Sequence, residues 1–237
     1  MVITMIDIVP ALLESIQREF NLLLNKNKKL REIEKKIADG KATYKQAYEY
    51  SKEVGTILAD VFSEHITSEQ LPDGKMYYNI AERILNPTLS NNHNIVVQIS
   101  VDIQEQLNKS VGINLKGIKP KLNQHRIDSL IDRIEKEEIF DDVAWILQEP
   151  IINFTQSVVD DTIKANVDFQ GESGLYPKII RTANYADACD WCKQMEGTYK
   201  YPNVPDGVYG RHDRCRCTVE YDPGDARRQN VWTKEWR

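Results

Sequence analysis

The residues with the clearest capacity for chemistry lie in one short segment: Cys189-Asp-Trp-Cys192, nineteen residues, then His212-Asp-Arg-Cys215-Arg-Cys217. Two ligand pairs, each with two residues between its members and joined by a loop of that length, have the spacing of a structural zinc site. Zinc takes four soft or borderline ligands at tetrahedral corners, about 2.3 Å away for sulfur and 2.0 Å for nitrogen. A tight turn can aim two such side chains at one point. All four cysteines fall between positions 189 and 217, whereas a disulfide framework is usually spread over the chain.

Five candidates, Cys189, Cys192, His212, Cys215 and Cys217, compete for four positions. In a regular strand Cys215 and Cys217 would have Cα atoms about 6.6 Å apart, while two sulfurs on one zinc are at most about 4 Å apart. Both can bind only if the backbone bends. The expected ligands are therefore Cys189, Cys192, His212 and Cys215, with Cys217 packed in a small core or standing by as a substitute. Arg211, Arg214 and Arg216 are either counter-charges for the thiolates or plain surface charge.

Other chemistries fit less well. Disulfides would leave His212 unexplained. A zinc deaminase needs an upstream His-x-Glu and a proline before Cys-x-x-Cys, where Ala188 stands. A cysteine–histidine nucleophile pair lacks an orienting group or oxyanion site in the sequence. His65, His93 and His125 stand alone, and Asp160-Asp161 reads as helix surface.

The elements that must position the cluster read as mainly helical, with a helical domain over residues 1–170 and a small irregular α+β module, stapled by metal, over 171–237. Ile8, Leu12, Ile16, Phe20 and Leu23 recur at helical spacing. Asn25 to Arg31 is a polar, basic stretch. Tyr44, Ala47, Tyr48, Ser51, Val54, Leu58, Val61 and Phe62 form the best helical stripe, opened by Thr43. Asn86-Pro87 should end or bend the helix that starts near Met76. Residues 95–107 fit a strand or a helix, and Gln104, Glu105 and Gln106 favour helix.

Ile127 to Ile134 and Ala144 to Val158 give two more helices, with Pro150 kinking or restarting the second. After Phe169, Gly171, Gly174 and Pro177 break the period, and Lys178 to Arg181 and Cys215 to Tyr221 are β-like.

The net charge of -5 over 237 residues, with signs mixed, carries no broad footprint of a nucleic-acid binder. No apolar run approaches the roughly 20 residues of a membrane helix, and Met1 to Asp7 is no signal peptide. The expectation is a protein made in the cytoplasm.

Asn153-Phe-Thr-Gln-Ser-Val-Val-Asp-Asp161, Tyr176-Pro-Lys-Ile-Ile-Arg-Thr182 and Cys215-Arg-Cys-Thr-Val-Glu-Tyr221, together with Cys-x-x-Cys and His-x-x-Cys-Arg-Cys, carry a resemblance. Over about residues 150–237 the chain resembles the phage Mu F-like head-morphogenesis and minor capsid family. The tail from Asp222 to Trp232 is similar to versions in prophages of Gram-positive bacteria. The resemblance implies a virion component made in the bacterial cytoplasm and placed in few copies in the phage head. It would act in assembly or genome delivery through portal and capsid proteins, with packaged DNA as a further contact. Members of that family are often longer, some with an enzymatic domain for which this chain has no room, so no enzymatic activity is expected.

The alternative is a nucleic-acid-processing enzyme with a zinc site. A basic patch of Arg211, Arg214, Arg216, Arg227 and Arg228, with Tyr209, Trp232 and Trp236 for base stacking, would serve it.

Overall fold

The computed structural model describes residues 7–183, 188–212 and 214–223. Arg227, Arg228, Trp232 and Trp236, and the tail that extends the family resemblance from residue 224 on, lie outside the described residues. The chain is mainly helical, with a three-stranded sheet in its C-terminal part. No helix among the described residues is long and apolar enough to cross a membrane.

Helix α1 (Val9–Lys26) opens with Pro10 in its first turn, where its missing N–H costs little. Helix α2 (Lys28–Ala38) follows after one residue, capped by Asn27, whose side chain accepts from the Leu30 N–H at 3.1 Å. The basic stretch expected to be merely polar thus opens a helix. Leu30 and Ile33 are its buried anchors. Helix α3 (Tyr44–His65) begins at Thr43, whose backbone N–H and hydroxyl both reach Gln46 Oε1, at 3.0 and 2.9 Å.

Helix α4 (Tyr78–Ser110) takes the helical option for residues 95–107 and runs through Pro87, so of the expected end or bend at Asn86-Pro87 the end does not occur. Leu85, Thr88 and Leu89 are buried around the proline, and Thr88 folds its hydroxyl onto the Ile84 carbonyl at 2.7 Å. Packing on both sides outweighs the single backbone hydrogen bond that proline removes. Helix α5 is Gln124–Glu135. A 3-10 turn over Ala144–Leu147 precedes α6 (Glu149–Glu172), so Pro150 restarts the helix in its first turn.

Helices α3 and α6 form the central pair. A Cβ on Gly55 would lie 2.9 Å from the Ile152 Cα, so only glycine lets the two backbones approach this closely. Phe62 and Phe154 are both buried in the core. Each contributes about 1.5–3 kcal/mol of burial.

Helix α6 also passes Gly171, where the sequence pattern suggested a break. A Cβ there would sit 2.3 Å from the Tyr201 ring, so this glycine admits an aromatic from the C-terminal part.

Strand β1 (Lys178–Thr182) lies between β2 (Gly197–Lys200) and β3 (Thr218–Asp222), antiparallel to both. Strand β2 has no counterpart in the sequence reading. The short helix α7 (Asp190–Gln194) lies between β1 and β2. Ile179, Val208, Val219 and Tyr221 belong to the same buried cluster as the helices.

A polar network fastens β3 to the helical body. Tyr221 donates to Asn108 Oδ1 at 3.2 Å and also reaches Gln170 Oε1, Gln170 reaches Asn108 at 3.0 Å, and Tyr44 donates to Gln104 at 2.7 Å.

Candidate metal centre

Cys189 caps α7: its sulfur accepts the Cys192 N–H at 3.4 Å, which places both thiols on the first turn. That contact holds the exposed Cys189 thiol below its usual range. Cys192 is fully buried beside Cys215 and Cys217. On the other side, Arg214 adopts φ of 58°, a left-handed conformation that reverses the chain, and the Cys215 N–H closes onto the His212 carbonyl at 3.1 Å.

The two halves meet at Cys192. His212 Nε2 lies 2.9 Å from its sulfur and 3.3 Å from that of Cys189, and Cys215 Sγ lies 3.9 Å from it. A tetrahedral zinc would hold two sulfurs about 3.8 Å apart and a sulfur–nitrogen pair about 3.5 Å apart. The donor atoms of Cys189, Cys192 and His212 lie within 4.8 Å of one another, and so do those of Cys192, Cys215 and Cys217. Both groups could hold a metal ion. Among the described residues they are the only such groups.

The sequence reading put Cys215 in a strand. Strand β3 instead begins at Thr218, after the reversal at Arg214, and the sulfur of Cys217 stays close to that of Cys215. Burial, followed by a hydrogen bond with Cys192, pushes the Cys217 thiol up to about 12.

The three arginines of the motif part ways. Arg214 and Arg216 are exposed. The Arg211 side chain is 1% exposed and forms an ion pair with Asp160 of α6, itself 1% exposed. Its remaining N–H groups donate to the carbonyls of Cys215 at 3.3 Å and Cys217 at 2.9 Å, and its plane lies 5.0 Å over the Tyr48 ring. Arg211 thus belongs to the interior and is withdrawn from the basic patch drawn from the sequence.

Asp160 is likewise no surface residue. It accepts from the Tyr48 hydroxyl at 2.5 Å, and that hydroxyl accepts the Val219 N–H at 3.1 Å. Burial pushes the Asp160 carboxyl up, while Arg211 and Tyr48 pull it back.

Asp161 next to it is pushed up to about 6 by burial and by the charge of Asp160. A carboxyl whose folded value lies above its unfolded one binds more protons in the native state between about pH 4 and 6, so stability falls as pH rises through that window. Asp161→Asn should therefore raise unfolding stability by roughly 1–2 kcal/mol at pH 7 and change it little at pH 4. Urea denaturation at both values checks this; equal effects at the two would remove the carboxyl charge as the cause.

Arg181, which the sequence places in a β-like piece but not among the site residues, reaches the cluster from β1. Its Nη2 lies 4.0 Å from both Cys192 Sγ and Cys215 Sγ. The signal for it was parity: Arg181 is two residues from Ile179 and shares its buried face. Asn153 of α6 adds a hold on the other half, donating to the His212 carbonyl at 2.5 Å.

Beside Cys215 a cavity of about 520 Å³ is lined by Lys45, Lys52 and Arg216 and by Glu49, Glu149 and Glu220. Its matched charges give it no preference for an anionic ligand.

No family model, curated protein or solved structure matches this chain. The arrangement brings donor atoms from two chain segments together around Cys192, which suits a cross-link.

Proposed function

We propose that this protein is a non-catalytic minor head component of a bacteriophage, acting in head assembly or genome delivery through contacts with portal and capsid proteins. In this reading a structural zinc closes its C-terminal module, held by Cys189, Cys192, His212 and Cys215. Bound there, zinc would supply a cross-link between the start of α7 and the turn before β3, and with it part of the folding free energy.

The observation that carries the reading is the convergence of the resembling segments on one unit. Asn153 and Asp160 from the first segment hold the His212 carbonyl and Arg211. Arg181 from the second reaches the sulfurs, and the third supplies Cys215, Cys217 and β3. Five candidate donors also favour coordination closed by protein, whereas a catalytic zinc keeps a position for water. The burial of Arg211 weakens the enzyme alternative, since that reading needs the basic patch exposed.

Co-expression of the full chain with the portal and major capsid proteins of the same phage tests the proposal. The protein should co-sediment with assembled heads in few copies and contain about one zinc per chain by mass spectrometry. Absence from purified heads, or metal-dependent cleavage of DNA or RNA by the purified protein, would overturn it.

A further inference from the structure

We infer that Arg181 is the counter-charge of the metal centre and that it sets the centre's composition at three thiolates and one neutral imidazole. The inference rests on the metal reading above and goes beyond it, because no spacing rule in the motif involves a residue of β1.

Arg181 is among the largest fully buried side chains of the protein, 1% exposed. Its Nη1 donates to the carbonyls of Val208 and Gly210, the latter at 3.0 Å, and Nη2 points at two sulfurs. Its plane stacks 5.1 Å over Trp191, whose ring meets that of His212 edge-on at 5.9 Å. None of the ion pairs among the described residues includes Arg181. The buried carboxylate of Asp160 is already paired with Arg211.

A guanidinium without an anion in a protein interior is strongly disfavoured. The groups within reach that can become anionic are Cys192 and Cys215, which Nη2 faces, and Cys217 next to them. A divalent ion bound by three thiolates and a neutral histidine carries one net negative charge, which one guanidinium cancels. Four thiolates would leave one negative charge buried, and two would leave a positive one. Charge balance therefore selects three thiolates beside His212, and the two sulfurs that Nη2 faces, those of Cys192 and Cys215, are assigned to them together with Cys189.

Cobalt(II) titration of the reduced full-length protein tests this, because its sulfur-to-metal charge-transfer band counts thiolates and reports their electron energy. Arg181→Lys and Arg181→Gln both lose the fork to Val208 and Gly210, but only lysine keeps the charge. The glutamine variant should bind cobalt about 10–100-fold more weakly than the lysine variant. Its band should move to longer wavelength, since a thiolate with no cation beside it holds its electrons less tightly, while the lysine band stays near wild type.

Equal affinity and equal band position in the two variants would overturn the inference and leave Arg181 a packing residue. Should the glutamine protein not fold, the lysine protein decides: affinity within about tenfold of wild type supports the counter-charge, and a larger loss overturns it. Cys217→Ser should leave the band intensity unchanged; loss of about a quarter of it would refute the three-thiolate composition, and loss of about a third would put Cys217 in the place of one of the three assigned cysteines. A wild-type protein that binds neither cobalt nor zinc would instead refute the metal reading itself.

Discussion

Cys192→Ser should purify with almost no metal, and its C-terminal part should lose its cooperative thermal transition. Cys192 belongs to both donor groups and has His212 Nε2 at 2.9 Å and Cys215 Sγ at 3.9 Å, so its loss takes a donor from both groups at once. Apparent binding energies of structural zinc in small peptides are about 10–16 kcal/mol. Here part of the module's stability comes from Ile179, Val208, Val219 and Tyr221 in the common core, so the loss should be several kcal/mol rather than the whole amount.

Cys215→Ser should behave in the same way, and Cys217→Ser should keep about one metal per chain. Metal content by mass spectrometry and melting curves with and without a chelator make the comparison. Full metal occupancy in Cys192→Ser would end the case for this centre. Metal loss in Cys217→Ser with retention in His212→Ala would establish a four-cysteine site in place of the proposed one.

Asp160→Ala should destabilise the protein by about 3–5 kcal/mol, because it leaves the Arg211 guanidinium buried and unpaired. Both side chains are 1% exposed, so solvent screening does little to soften the cost. In a chain of this size that corresponds to a fall in melting temperature of roughly 10 °C. Arg211 also ties the carbonyls of Cys215 and Cys217 to α6, so the loss should be felt at the metal centre as well as in the helices.

The double variant Asp160→Leu with Arg211→Met removes both charges and should recover a large part of the loss, although the two carbonyls stay without their donor. Denaturant titrations of the two single variants and the double variant give the coupling directly. A cost below about 1 kcal/mol for Asp160→Ala would mean that the pair is not buried in solution.

Much of the fold was legible because helical amphipathy is a local property. The stripe from Tyr44 to Phe62 identifies α3 with its cap, and Ile127 to Ile134 identifies α5, since side chains three and four residues apart share a face whatever they pack on. The Cys/His set was legible for a similar reason: two residues between ligands make a turn, and a turn can be read without knowing its neighbours. Helix α2 was hidden because its apolar positions are few and lysines dominate its composition. Strand β2 was hidden because its exposed and half-buried residues alternate without a strong apolar face.

The tertiary structure alone decided where the charged and polar residues went. Asp160 and Asp161 look alike in sequence, yet Asp160 meets Tyr48, 112 positions away in the chain, and Arg211, 51 positions away. Gly55 and Gly171 lie inside helices because other parts of the chain press against them. Arg181 lies within reach of two sulfurs because β1 pairs with β3 in a particular register. Local pattern records which face of an element is apolar, but whether a charge can be buried depends on the partner that arrives from a distant part of the chain, and that partner is chosen only when the chain folds.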